Sequence, residues 1–504
     1  MALVHRNALA NIVGSATIAG LTIVITPIQI QILGMEAYAI IGFIATLQVA
    51  FTAFDFGLSA TVSRELAADQ SANKEISSSL VRTAMTIYWA IAILLGGILI
   101  GLAKPIAQSW FNPEVMSAKD LEQSLQVIAF YLALRWPVAL YVGVLTGVQK
   151  MELLNGVKIF AGLFRLLGGM VVLLHWRSFE LFLWWTVASA VVEVVAYHIA
   201  CRRIHPIIVL GLGFSVASIK RVLRFSLIMN GLGILAIVII QLDRLVISRV
   251  LTLEELGYYN LAYTAASVIP LIVAAISSAV LPSFSASYGG GIDKSEIVER
   301  YYEADRFTLF LSSFAAFALV TYGAPLLQLW VGSDNAGDAV LPLAVLATAF
   351  WLASVIANAY NIAVSRGQPQ LYLIANLIIV APYGIIVYFL TDKFGVSGTA
   401  SAWIMLYLFY FIFIVRNIHR EMLEISTSKW LYRIVLPYAL VGFTTVCVPK
   451  LIAQYLNLSE TLPTNVALFV FSGVLYTVAG VTITGRPLGL GLLRRLLANA
   501  RYRQ

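Results

Sequence analysis

Charge is what this sequence has least of. Asp, Glu, Lys and Arg make up 12% of its 504 residues, against ~25% in soluble domains, while 60% are hydrophobic and mean hydropathy is +0.88. That shortage excludes a soluble domain of ordinary size. Cysteine is nearly missing as well. Cys201 and Cys447, read as lying in a loop and in a span, are far apart and form no metal or redox spacing, so a structural disulfide is not expected. The histidines (His5, His175, His198, His205 and His419) show no ligand spacing, and no metal site is expected. No Walker-type phosphate loop occurs, which removes nucleotide hydrolysis as an energy source. Long polar segments are missing too. The longest intervals between apolar runs, 201–224 and 286–306, leave no room for an extramembrane domain, and no catalytic residues are expected. The tripeptide Asp55-Phe56-Gly57 stands alone inside a span and carries no kinase meaning.

What is present is apolar sequence from end to end. A membrane-crossing helix needs roughly 20 apolar residues. Runs broken by charged or turn residues predict about fourteen such helices, at 9–31, 38–62, 80–102, 124–148, 156–174, 180–200, 225–248, 257–285, 307–330, 341–364, 371–390, 396–415, 434–453 and 465–483. The run from Ala8 to Leu33 is too long for the apolar part of a signal peptide and reads as a retained first span. The fold class expected is an all-α integral membrane protein.

The basic residues orient it. With the N-terminus in the cytoplasm and spans alternating, 24 of the 33 Lys and Arg fall in cytoplasmic segments and 6 in outer ones. The remaining three, Arg135, Arg165 and Arg244, lie within spans. This asymmetry predicts both termini inside. It also explains the net charge of +8 without nucleic acid, because the basic surplus meets anionic lipid headgroups. Trp110, Trp176, Trp330, Trp430 and Tyr432 near span ends read as interfacial aromatics.

The chain also repeats itself. Pro105–Trp110 (PIAQSW) matches Pro325–Trp330 (PLLQLW) at an offset of 220, while Leu33–Glu36 matches Leu251–Glu254, and Leu145–Lys150 matches Ala363–Gln368, both at 218. Six spans separate the copies, an even number, so both copies face the same way. Two parallel six-helix repeats around a central cavity, plus two C-terminal helices, are therefore expected, and with them alternating access. The domains expected are residues 1–205, 206–425 and 426–504, the last carrying two further spans and a basic tail.

Several stretches resemble Wzx-type polysaccharide transporters. Gln241–Tyr263 (QLDRLVISRVLTLEELGYYNLAY) resembles the start of their second half, and Phe54–Arg64 (FDFGLSATVSR) the end of their second span. Ala279–Ser285 (AVLPSFS) resembles the end of the eighth, and residues 365–402, with SRGQP and GVSGTA, the region of spans ten to twelve. The resemblance covers roughly residues 5–420. It places the chain in the superfamily that also holds multidrug exporters and the lipid II flippase. Many Wzx-type proteins have twelve spans, so fourteen departs from that pattern. The resemblance implies flipping of undecaprenyl-pyrophosphate-linked sugar repeat units across the bacterial inner membrane, for O-antigen, capsule or exopolysaccharide, with a polysaccharide polymerase and glycosyltransferases as partners.

Hydrocarbon cannot solvate a pyrophosphate or sugar hydroxyls, so such a transporter needs a wet, cationic cavity. Arg135 and Arg165 meet that need. They lie roughly 16 Å and 14 Å into consecutive antiparallel spans from opposite sides, at ~1.5 Å per residue. Guanidinium groups bind phosphate bidentately and do not deprotonate. The structural alternative is pairing, or snorkelling to an interface. Arg244 either lines the cavity or anchors its helix at the outer interface. Asp55, Glu193 and Asp243 are the intramembrane carboxylates, and Asp55 and Glu193 are the stronger candidates for coupling to H⁺ or Na⁺. A salt bridge at the cytoplasmic rim, to Arg64 for example, is the other reading. Asn230, Gln241, Asn260, Asn358, Asn361 and Asn376 read mainly as ties between helices.

Other functions weigh less. A multidrug exporter favours an acidic lumen for cationic drugs. A lipid II flippase shares both the pyrophosphate and the span count. A membrane glycosyltransferase or polymerase needs a sizeable outer loop with paired carboxylates, and the largest outer segment here holds Glu114, Asp120 and Glu122.

Overall fold

The computed structural model describes residues 2–68, 74–204, 213, 215–289, 293–458 and 461–484. Among them every regular element is helical. Eleven of these helices are long and apolar enough to cross a membrane. The chain forms two compact units, Met1–Gly257 and Tyr258–Gln504.

In the first unit the helices are α1 (Ala2–Leu33), α2 (Met35–Thr52), α3 (Leu58–Ala68), α4 (Lys74–Ser109), α5 (Ala118–Arg135), α6 (Val138–Gly147), α7 (Met151–Trp176), α8 (Phe179–Ile204) and α9 (Val216–Val250). Two spans expected to be continuous are broken. Between α2 and α3, Phe56 and Gly57 take left-handed φ of 44° and 70°. Between α5 and α6 stands Trp136-Pro137. Proline has no N–H to offer the preceding turn, so the helix stops at Arg135 and restarts. The indole of Trp136 donates to the Phe51 carbonyl at 3.0 Å, tying the two breaks together.

Helix α8 shows which faces meet lipid. Leu181, Val191, Val195 and Ile199 are exposed, whereas Thr186, Ala190, Glu193, Tyr197 and Ala200 are buried at spacings of three and four. An apolar stripe left open is anomalous in water and natural in hydrocarbon. Glu193 therefore lies on the packed face.

The second unit continues with α10 (Leu253–Ala266), which begins at the boundary, α11 (Val268–Gly289), α12 (Lys294–Val331), α13 (Val340–Ser365), α14 (Gln370–Leu423), α15 (Thr427–Tyr455) and α16 (Leu462–Thr484). At 54 residues α14 is too long for one bilayer crossing, and it turns sharply at Gly395, whose φ is 58° and ψ −147°. The hydroxyls of Thr391 and Thr399 meet at 2.7 Å, although eight residues of straight helix span ~12 Å. Its core packs Phe284, Tyr301, Ile362, Ile418 and Trp430.

Four readings are corrected. Cys201 lies in the last turn of α8 and is buried, not in a loop, because that helix continues through Ile204. The interval 286–306 is mostly helical, since α11 runs to Gly289 and α12 starts at Lys294. The run 257–285 is divided at Ser267, between α10 and α11. Trp430 is a core residue, 1% exposed, that donates to Asp305 at 2.7 Å, rather than an interfacial aromatic.

Candidate functional site

Three of the predicted site residues converge. Arg135 closes α5 at its mid-span break, Arg165 lies midway along α7, and Glu193 lies on the packed face of α8. Arg135 Nε donates to Glu193 Oε2 at 2.9 Å and Nη2 to Oε1 at 3.3 Å, a two-pronged ion pair. Arg165 Nη1 approaches the same Oε2 at 3.6 Å, an ionic contact beyond hydrogen-bond length. Two guanidiniums around one carboxylate leave one net positive charge. Arg135 is 29% and Arg165 24% exposed, against 8% for Glu193, so the cations flank an enclosed anion.

The packing that holds the cluster is local. The Trp185 indole donates to the Arg165 carbonyl at 3.1 Å, fixing α7 against α8. Gln48 of α2 accepts from Arg135 Nη1 at 3.5 Å and donates its amide N–H to the Tyr131 hydroxyl at 2.7 Å. Gln48 and Tyr131 escaped sequence reasoning, since a neutral polar side chain in an apolar run does not show which neighbour it meets.

The other predicted residues have different neighbours. Asp55 sits at the α2–α3 break, where the Ser59 hydroxyl donates to it at 2.7 Å and the Tyr88 hydroxyl donates as well. Arg64 reaches Glu65 at 3.1 Å. Asp243 is fully buried in α9 and accepts from the Arg244 backbone N–H at 2.7 Å. The Arg244 guanidinium reaches Gln241 at 3.4 Å, one turn back on its own helix. Asn358, Asn361 and Asn376 are ties, to Asp305 at 3.0 Å, to Ser277 at 3.1 Å and from Tyr410 at 2.7 Å. Asn260 is buried. The side chains of Asn230, His5 and His205 lie outside the described residues.

The second unit holds a buried carboxylate that the sequence reading missed. Asp305, 1% exposed, accepts from Asn358 and from Trp430. Nearby, the Tyr301 hydroxyl meets His419 Nε2 at 2.9 Å. Reading 286–306 as an interval between spans hid Asp305, which stands among Glu299, Arg300, Glu303 and Arg306 in the sequence.

Comparison with known proteins follows the same lines. The family model described as polysaccharide biosynthesis protein matches residues 4–287, more than half of the chain. A Shigella flexneri protein named "Putative O-antigen transporter" is 20% identical over 390 residues, which cover 75% of this chain and 85% of that one. Among solved structures, the lipid II flippase MurJ in an inward closed conformation aligns with a TM-score of 0.75 at 11% identity, covering 93% of this chain and 97% of that one. An inward-facing multidrug resistance MATE family transporter of the MOP superfamily aligns with a TM-score of 0.65 at 13% identity, covering 80% and 94%. At these identities the likeness is one of fold. The chain is thus a multi-pass membrane protein with a MurJ- and MATE-like helical fold, and it belongs to the polysaccharide biosynthesis protein family.

Proposed function

We propose that this protein is a flippase. It carries undecaprenyl-pyrophosphate-linked sugar repeat units across the bacterial inner membrane by alternating access between its two repeats, with both termini in the cytoplasm. The observation that carries the reading is the Arg135–Glu193–Arg165 cluster. Cations at this depth are expensive unless they are paired or face water, and these two are partly exposed and share one carboxylate. Arg165, tied among the described residues only at 3.6 Å, has N–H donors to spare for a phosphate oxygen. Arg135 has its Nε–Nη2 edge on Glu193, so a diphosphate engages it fully by displacing that carboxylate. Substrate binding thereby releases Glu193, which makes it the favoured group among Asp55, Glu193 and Asp243 to take up H⁺ or Na⁺. The Shigella relative's name supports the polysaccharide substrate class over drug export.

The near-complete overlap with the MurJ fold supports a second reading, lipid II, whose headgroup carries the same diphosphate. The test is purified protein in liposomes with a lipid-linked oligosaccharide in one leaflet, scored by its accessibility to an impermeant sugar-binding probe. Transport by the wild type, lost in Arg165→Ala, is expected. Equal transport by both overturns the role of the cluster. Lipid II as competitor separates the two substrates.

A further inference from the structure

A second site lies in the first unit, apart from the arginines. Three segments meet there: the α1–α2 junction at Leu33–Ala37, the stretch from Val115 to Val127, and the N-terminal turns of α8. Between them is a cavity of about 500 Å³, within the ~300–1,000 Å³ usual for small-molecule sites.

Its frame is held by Glu36. This carboxylate is 6% exposed and accepts the backbone N–H groups of Glu114, Val115 and Met116 at 2.5, 3.0 and 2.6 Å. One buried side chain thus pins the loop that forms a wall of the cavity. Ser117 caps α5 beside it, accepting from the Asp120 N–H at 3.1 Å and donating to its carboxylate at 2.7 Å. Glu36 is therefore a post, with its oxygens occupied.

The rest of the lining has the chemistry of a sugar site. Phe179 and Trp184 supply flat apolar faces for the C–H side of a pyranose ring. Gln123 offers both a donor and an acceptor, and Asp120 and Glu180 offer carboxylate oxygens to pairs of hydroxyls. Among the described residues, lysine and arginine are missing from the lining. Such a lining disfavours acidic sugars and phosphate and suits neutral or amino-bearing rings.

The cavity and the arginine cluster share two helices. Asp120 and Arg135 stand on one helix fifteen residues apart, and Glu180 and Glu193 on another, thirteen apart. At ~1.5 Å per residue the cavity lies roughly 20 Å along both helices from the cluster. A lipid-linked oligosaccharide has the same polarity, an anionic diphosphate at one end and hydroxyl-rich rings beyond it.

We infer that this cavity is a glycan subsite, selective for neutral or amino sugars over uronic acids, that receives the sugar end of the substrate while the arginines hold its diphosphate. The inference rests on the flippase reading for its substrate, but its test is binding alone. The purified full-length protein in nanodiscs is titrated with three free disaccharides: diacetylated chitobiose (neutral), chitobiose (amino) and digalacturonate (acidic). Calorimetry measures affinity, and tryptophan fluorescence with Trp184→Phe as control locates the signal. Neutral and amino disaccharides bind, and digalacturonate binds at least about tenfold more weakly. The near-isosteric pair Asp120→Asn plus Glu180→Gln loses about tenfold for the amino sugar, as expected for charge-assisted hydrogen bonds, and gains for digalacturonate. That gain in the variant cannot come from misfolding. Equal affinity for all three sugars, binding of none, or displacement of chitobiose by ethanolamine at equal concentration overturns the subsite. Wild-type flipping without sugar binding sinks this inference alone; sugar binding without flipping sinks the transport reading and leaves the subsite standing.

Discussion

The two units build one helix pair in two ways. In the first, α6 packs on α3 through Gly143 and Gly147. A Cβ on either would come within 2.6 Å of the backbone oxygens of Ser59 and Ser63 respectively, so only glycine permits the approach. At the offset of 218 the second unit has Asn361 and Ser365, facing Ser277 and Leu281. There the Asn361 amide donates to the Ser277 hydroxyl at 3.1 Å, and Ser365 to the Leu281 carbonyl at 3.5 Å. Close backbone contact in one unit has become hydrogen bonding in the other. Charge diverges the same way. The positions matching Arg135, Arg165 and Glu193 are Ala353, Tyr383 and Phe411. Conversely, Asp305 and Asn358 correspond to the buried Met85 and Leu140 at offsets of 220 and 218. A duplicated scaffold has kept its helices and divided its chemistry, with a cationic cluster in one half and a sealed polar tie in the other.

The largest effect expected from breaking this division is on transport. Arg165→Ala removes the freer guanidinium and is expected to lower flipping by roughly a hundredfold, the worth of a bidentate charge-assisted contact. Arg135→Ala acts similarly and leaves Glu193 with only the 3.6 Å contact to Arg165. Placing the charge in the other unit, Arg135→Ala with Ala353→Arg, is expected to restore nothing. The liposome assay, run at matched protein levels, checks all three, and rescue by Ala353→Arg would erase the distinction between units.

Stability effects come next. Gly143→Asn, which copies the second unit, forces α6 away from α3 and is expected to cost about 1–3 kcal/mol by overpacking. The reverse exchange, Asn361→Gly, loses hydrogen bonds and adds backbone freedom, for about 1–2 kcal/mol. Thermal unfolding in detergent measures both. A neutral Gly143→Asn would mean that the helix pair has slack.

Asp305→Asn is expected to be milder, about 1 kcal/mol, because an amide oxygen still accepts from Asn358 or from Trp430 but not from both in good geometry. Its flipping rate is expected to stay near that of the wild type, since Asp305 is buried and its carboxylate serves Asn358 and Trp430. A collapse of transport in folded Asp305→Asn would show that the second unit carries charge chemistry of its own.

How much of this was legible follows from what hydropathy encodes. Apolar runs locate helices, and the break near Asp392-Lys393 marks where α14 turns at Gly395. Arg135 and Arg165 stood out because charge in an apolar run is conspicuous, and antiparallel connection set them at similar depth. Their meeting at Glu193 was not legible, because depth says nothing about rotation around a helix axis. The Trp136-Pro137 interruption passed unnoticed inside a run that stays apolar across it. Gln48 and Tyr131 carry no charge and no period. Asp305 was lost because charged residues in the first turns of α12 made a helix look like a loop.

The smallest predicted effect probes the most faithfully repeated feature. Helices α6 and α13 end in the same turn. In the first unit Lys150 N–H donates to the Leu145 carbonyl at 2.9 Å and Gln149 N–H to Thr146 at 3.0 Å. In the second, Gln368 donates to Ala363 at 2.9 Å and Gly367 to Val364 at 3.0 Å, so donors and acceptors alike are shifted by 218. This pair of bonds needs a left-handed residue at its centre. The second unit uses Gly367, at φ 75°, which pays no steric penalty, whereas the first holds Gln149 at φ 57°, where a Cβ is strained. Gln149→Gly is therefore expected to stabilise the protein, by less than the ~1–2 kcal/mol of that strain because glycine also loosens the unfolded chain. Gly367→Ala is expected to destabilise by about 1 kcal/mol. Opposite shifts in unfolding temperature establish that the turn is set by backbone conformation rather than by the side chain at its centre. Shifts of the same sign would mean that the Gln149 side chain has acquired a task that the glycine in the other unit never had.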